Sequence, residues 1–200
     1  MESVTSHVDE FFPIALRDSI SMRPLRVNDA ELFFCALDKN RDFFGKFLPF
    51  VADTTAVHHT LEFIKLSQEQ EKNATGLTCG IFKEHGSENQ PVAEEAIGAV
   101  GLKEINLQTK KAELGYWLAE DYNGSGLCTL ACKNLIEHGQ TIGIQQFVIY
   151  TAENNFKSQA VARRLGFQKL PGIIENAEVV NGVSVSHLVF ELRLPETLQH

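Results

Sequence analysis

The sequence predicts a single domain of the α+β (mixed α/β) class, built on one mostly antiparallel sheet flanked by helices. Three observations carry that prediction. Apolar and polar residues alternate along Lys111–Leu118. Ala112, Leu114, Tyr116 and Leu118 share one face, and Lys111, Glu113, Gly115 and Trp117 the other, which is the two-residue period of a strand. Strand-like stretches of this kind are interleaved with segments whose apolar residues recur at three- and four-residue spacing, the period of amphipathic helices. The 200 residues are ample for one core, and 44% of them are apolar against 22% charged, as in soluble globular proteins.

In chain order, residues 1–18 read as an N-terminal extension or lead-in that packs on the body through Phe11, Phe12, Ile14 and Leu16. Residues 19–26 form the first strand, with Ile20, Met22 and Leu25 inward. Asn28 caps a helix over 29–38, with Glu31 three residues later at capping-box spacing. Residues 41–48 form a second short helix stopped by Pro49. This segment is rich in Phe (43, 44 and 47, with Phe50 beyond), which either packs the core or lines a pocket. Asp53 or Thr54 caps a long helix to Lys72 with Val57, Leu61 and Ile64 as its buried stripe. His58 and His59 are adjacent, so they point apart and make no metal pair.

Residues 76–83 and 96–107 are strands joined by a polar loop over 84–95. The central strand Lys111–Leu118 follows, then a helix from Gly126 to about Thr141 with Gly143 as its C-cap. Residues 146–151 are a short buried strand, 156–165 a helix ended by Gly166, and 167–170 the start of another strand. Residues 171–182 form a loop closed by Asn181-Gly182, a hairpin signal, before a final strand over 183–194. The domain proper therefore runs from 19 to 194, with 195–200 as a tail.

The net charge of −8 argues against a general nucleic-acid or anionic-membrane binder. The first twelve residues, MESVTSHVDEFF, lack a basic and an apolar region, so no targeting segment is expected. Cys35, Cys79, Cys128 and Cys132 contain no C-x-x-C pair and no histidine at ligand spacing. They read as reduced thiols, with no metal site, and the cytoplasm is the expected compartment.

Between the central strand and the next helix, Gly124 and Gly126 bracket Ser125. Glycine tolerates the backbone angles that turn several N–H groups toward one point. The helix N-terminus adds free N–H groups and partial positive charge, so the turn can cradle a phosphate. The spacing excludes both G-x-x-x-x-G-K-[ST] and G-x-G-x-x-G.

ELGYWL (113–118), GSG (124–126), NNFKS (154–158) and ARRLGF (162–167) occur in this order at these separations. Over residues 19–194 the chain resembles the GNAT acyl-CoA N-acyltransferases, and among them the ribosomal-protein-serine N-acetyltransferase (RimJ/RimL-like) group. The resemblance implies that acetyl-CoA binds in a V-shaped split beside the central strand. The backbone near Trp117 and Leu118 would pair with the pantetheine arm. The amides of Asn123, Gly124, Ser125, Gly126 and Leu127 would hold the pyrophosphate. Asn155 and Ser158 match the N-x-x-S motif, with Ser158 near the CoA sulfur as proton donor; Tyr122 and Tyr150 are weaker candidates for that role.

Two carboxylates compete as general base: Glu178, in AEVVNG (177–182), and Glu113 on the central strand. The family pattern Gln/Arg-x-x-Gly-x-Gly/Ala is departed from at Asp121, Asn123 and Ser125, each a loss of positive charge or of a long donor. Weaker CoA binding is therefore expected, with Lys157, Arg163 and Arg164 available to compensate. The expected acceptor is a primary amine, the N-terminal α-amine of a protein. A small-molecule amine (an aminoglycoside or polyamine) and a non-catalytic CoA-binding or interaction module remain as alternatives. A homodimer is expected from the resemblance.

Overall fold

A computed structural model of the chain describes residues 8, 11–86 and 93–195. Nine strands form one sheet among the described residues: β1 (Ile14–Arg17), β2 (Ile20–Pro24), β3 (Leu77–His85), β4 (Ala93–Asn106), β5 (Lys111–Leu118), β6 (Gln146–Ala152), β7 (Gln168–Lys169), β8 (Ile174–Val180) and β9 (Val183–Arg193). Their order is β1-β2-β3-β4-β5-β6-β9-β7, with β8 also paired to β9. Neighbours are antiparallel except β5 and β6, which run parallel. The helices are α1 (Ala30–Lys39), α2 (Arg41–Phe44), α3 (Phe50–Asp53), α4 (Val57–Lys72), α5 (Leu127–Thr141) and α6 (Phe156–Arg164).

The sheet is covered on both faces. On one, α5 and α6 bury Leu127, Ala131, Leu135 and Val161 against Met22, Ile97, Val100, Leu114 and Phe147. On the other, α1 and α4 bury Phe33, Leu37 and Ile64 against Phe82, Ala96 and Ala99, joined by Phe44 and Val51. Central strands buried on both faces lose the polar half of their alternation. β4 accordingly reads as an unbroken buried run from Ala96 to Leu102.

Several local expectations are corrected. The first helix is not capped by Asn28. A 3₁₀ turn, Val27–Asp29, precedes α1, and the buried Asp29 carboxylate accepts from the Arg26 N–H (2.8 Å) and from both Arg23 Nη atoms (2.8 and 2.9 Å). The helix at 41–48 stops at Phe44, and Pro49 then N-caps α3. Neither Asp53 nor Thr54 caps α4: Asp53 ends α3, Thr54 Oγ1 donates back to the Phe50 carbonyl (2.8 Å), and Ala56 is the N-cap. Val57 is consequently exposed. The rings of His58 and His59 lie together, 4.0 Å between centroids, because His59 Nδ1 accepts from the Thr55 N–H and is folded back over the helix start.

The polar loop is shorter than 84–95, since β3 runs to His85 and β4 starts at Ala93; residues 87–92 lie outside the described residues. The stretch expected as a loop over 171–182 contains β8, which forms a hairpin with β9 through Asn181-Gly182. Both turn residues have positive φ (50° and 76°), as a type I′ turn requires. Residues 14–17 of the expected lead-in form edge strand β1, in which Leu16 is buried, as is Phe12 just before it.

Candidate active site

The parallel pairing of β5 with β6 is short. Lys111, Ala112 and Glu113 face Gln146, Phe147 and Val148, and the two strands then part. On its other edge β5 stays paired with β4 as far as Leu118 opposite Gly98. A backbone edge from Gly115 to Leu118 is thereby left beside a cleft of about 270 Å³. Its walls are Tyr116, Trp117 and Leu118 of β5, the glycine turn with the first turn of α5, one side of α6, and the Phe43–Leu48 segment. Trp117 is fixed by ring contacts with Phe33 and Phe44, each 5.0 Å between centroids, so part of the Phe-rich segment both packs the core and shapes the cleft.

The glycine turn is built as its sequence suggests. Gly124 and Gly126 have φ of +79° and +80°, and a Cβ on Gly124 would meet nothing within 4 Å. Gly126 is the N-cap of α5, and its carbonyl accepts the first helical bond from the Leu130 N–H. The two side chains in the turn brace it internally. Asn123 Nδ2 donates to the carbonyls of Ala119 (3.0 Å) and Glu120 (3.2 Å). Ser125 Oγ donates to the Tyr122 carbonyl (2.7 Å) and accepts from the Leu127 N–H (3.3 Å). Leu127 itself is core. One turn into α5, Thr129 lines the cleft and its Oγ1, buried at the atom, has no hydrogen-bond partner among the described residues.

Across the cleft, Asn155 is the N-cap of α6, its side-chain oxygen accepting from the Ser158 N–H (3.1 Å). The N-x-x-S spacing is thus first a capping arrangement, which orients Ser158 at the cleft wall. Ser158 also meets Tyr116 of β5. The tyrosine hydroxyl donates to the Ser158 carbonyl at 3.0 Å and lies 3.1 Å from Ser158 Oγ. Burial pushes the Tyr116 hydroxyl well above its ordinary pKa, so it stays protonated. Alternation had placed Tyr116 on the inward face, but its hydrogen bond to α6 depends on how far β5 and β6 splay, which no local pattern encodes.

The cleft therefore brings together Trp117, Leu118, Asn123, Gly124, Gly126, Asn155 and Ser158. It does not include either carboxylate. Glu113 sits where β5 and β6 are still paired, with its Oε1 3.4 Å from Lys103 Nζ. Glu178 lies on β8 with its Oε2 3.4 Å from His187 Nε2. His187 is opposite Ala152, the last residue of β6, three positions before Asn155. At the hairpin tip, Asn181 Nδ2 donates to the Gly45 carbonyl (2.8 Å), tying the hairpin to the Phe-rich wall. Of the two carboxylates, Glu178 is thus the one on the hairpin that Asn181 ties to the Phe-rich segment of the cleft wall. His187, its partner, carried no motif that would have singled it out. Of the proposed compensating cations, Lys157 and Arg164 line the cleft, whereas Arg163 is bonded to Gln159 and lies over the Phe190 ring.

Residues 19–168 match the family described as the acetyltransferase (GNAT) domain. The chain is similar to the probable N-acetyltransferase YjcK of Bacillus subtilis (strain 168), at 30% identity over 189 residues, covering 90% of this chain and 97% of that protein. It is 37% identical over 102 residues to the ribosomal-protein-serine acetyltransferase of Escherichia coli (strain K12), covering 50% and 51% of the two chains. The fold superposes on the crystal structure of the microcin C7 self-immunity acetyltransferase MccE in complex with acetyl-CoA and AMP. The TM-score is 0.79 at 28% identity, covering 91% of this chain and 96% of that one. With a matched family segment spanning most of its length, a split β5–β6 pair and a glycine-bracketed turn at the N-terminus of α5, the chain belongs to the GNAT family of acetyltransferases.

Proposed function

We propose that the protein transfers the acetyl group of acetyl-CoA to a primary amine, the N-terminal α-amine of a protein such as a ribosomal protein. The observation that carries this reading is the cleft itself: a free strand edge, a glycine turn at a helix N-terminus and a capped serine, all on one wall-to-wall opening. The residues fit acetyl-CoA. The positive φ of Gly124 and Gly126 gives the turn the backbone shape of an anion cradle, and the space around Gly124 is open to a phosphate. Thr129, which lines the cleft, has a buried Oγ1 with no hydrogen-bond partner among the described residues, and the edge from Gly115 to Leu118 can pair with the amides of a pantetheine arm. The protein acceptor is supported by the similarity to a ribosomal-protein-serine acetyltransferase.

In this reading the amine nitrogen attacks the thioester carbonyl carbon. A C–N bond forms, the C–S bond breaks, the amine loses a proton and the sulfur gains one. Glu178 accepts the amine proton, directly or through a water, with His187 holding the carboxylate in place. Ser158 donates to the departing sulfur. Tyr116 fixes the orientation of that hydroxyl and is itself kept neutral by burial. An N–H of the β5 edge polarises the carbonyl. Holding the two reactants in line is the remaining contribution of the cleft walls.

Release of free thiol from acetyl-CoA, measured over N-terminal peptides, spermidine and aminoglycosides, tests the reading. Turnover with peptides, and its loss when the peptide N-terminus is blocked, is the expected result. Turnover with spermidine alone would move the acceptor to polyamines. No thiol release with any amine would overturn the assignment as an acting transferase. Glu178→Gln should lower kcat by about 10²–10³ with little change in acetyl-CoA binding. An unchanged kcat would remove Glu178 from the mechanism.

A further inference from the structure

The glycine turn supplies no cation of its own. Asp121 is exposed and acidic, Asn123 spends its amide on the turn's own carbonyls, and the Ser125 hydroxyl is bonded to the Tyr122 carbonyl and the Leu127 N–H. Yet a guanidinium lies against the turn. A Cβ built on Gly126 would sit 3.5 Å from Arg17 Nη2. Arg17 ends β1, at the far edge of the sheet from β6, and reaches the turn because α5 crosses the sheet and packs on β1. Its side chain is exposed and makes no hydrogen bond or ion pair among the described residues.

A charged side chain beside a helix N-terminus, with no counter-ion among the described residues, is an arrangement in want of an anion. Helix dipole and guanidinium both favour negative charge at the same point, and their positive potentials repel one another until an anion is bound. The planar fork of arginine suits two oxygens of a phosphate better than the single point charge of lysine. We propose that Arg17 is a phosphate-binding residue of the cofactor site, supplied by the edge strand, and that it holds the CoA pyrophosphate in place of the basic or long polar residues missing at positions 121, 123 and 125. This rests on the acetyl-CoA reading above and adds to it a residue outside the matched family segment, which begins at residue 19. It also revises the expectation of weakened binding, because the charge missing from the turn is restored from another element.

The test is calorimetric titration of CoA into the wild-type chain, Arg17→Ala and Arg17→Lys. Arg17→Ala should raise the dissociation constant about tenfold, the loss of one charge-assisted contact at a partly exposed site. Arg17→Lys should fall between the two. The ratio between Arg17→Ala and wild type should persist with 3′-dephospho-CoA and shrink as salt is raised. The acceptor KM and the thermal midpoint without ligand should not change, since Arg17 is exposed and unpaired among the described residues. Equal affinity in the wild type and Arg17→Ala would overturn the proposal. A ratio that vanishes with 3′-dephospho-CoA would overturn the pyrophosphate assignment. No heat from the wild type would instead overturn the acetyl-CoA reading itself, so the two failures are distinguishable.

Discussion

Tyr116 shows how one side chain joins structure to chemistry. It lies on β5, the strand that loses its neighbour, and its hydroxyl reaches both oxygens of Ser158 on α6. Those contacts span the opening between β5 and β6, so the tyrosine acts as a strut across the cleft. Tyr116→Phe removes the hydroxyl and leaves the ring packed. The expected stability loss is about 1 kcal/mol, the net worth of an ordinary hydrogen bond. With Ser158 as the proton donor proposed above, the larger effect falls on catalysis. Ser158 Oγ loses the partner that fixes its rotamer, so kcat should fall while acetyl-CoA affinity holds. In a Ser158→Ala background the same change should leave kcat where it was, because only the serine transmits the effect. Additive losses in kcat would show that Tyr116 acts on the reaction by some other route.

Helix α5 is the element on which the site depends, since its N-terminus forms the cradle and its body fixes where the cradle sits. Gly139, in its last turns, sets the closeness of that packing. A Cβ there would lie 2.8 Å from Phe147 Cε1 and 3.2 Å from Leu102 Cδ1, both on fully buried side chains of the sheet. Alanine is favoured over glycine in a helix by about 1 kcal/mol, but overpacking a tight core costs roughly 1–3 kcal/mol. Gly139→Ala should therefore destabilise despite its better propensity, with a lower urea midpoint at unchanged slope. A raised midpoint would mean that the helix can lift without cost.

What the sequence revealed at this scale follows from how local each determinant is. The strand Lys111–Leu118, the glycine turn, the helix after it and the Asn181-Gly182 hairpin each carry a pattern within ten residues, and each is present. β8 did not, because Ile174, Glu175, Asn176, Ala177 and Val179 are exposed and leave no buried face to generate a period. The cap at Asn28 failed because Asp29 is recruited by Arg23, a partner six residues away on another element. Arg17 was hidden for the same reason: its meaning lies in a contact with residue 126 that only the folded sheet creates.

For the molecule as a whole, the cleft is a junction of parts far apart in the chain. Residues 43–48, 116–129 and 155–164 meet there, and Arg17 of β1 lies beside Gly126. A ligand filling this cleft touches both helical layers and the split in the sheet at once. None of those surfaces is assembled in the unfolded chain, so such a ligand binds the folded state alone. Its binding free energy then appears as global stability, by RT ln(1 + [L]/Kd), about 2.7 kcal/mol at a hundredfold excess over Kd. For a domain of this size each kcal/mol raises the midpoint by roughly 2–4 °C, so saturating acetyl-CoA should raise the thermal midpoint by roughly 5–10 °C. Arg17→Ala should show a smaller rise at the same concentration, and the full rise should return as the ligand is increased, because the variant loses affinity and not the site. No shift in the wild type at millimolar acetyl-CoA would mean that the cleft does not hold this ligand, and the GNAT scaffold would then serve this chain in a role other than acetyl transfer.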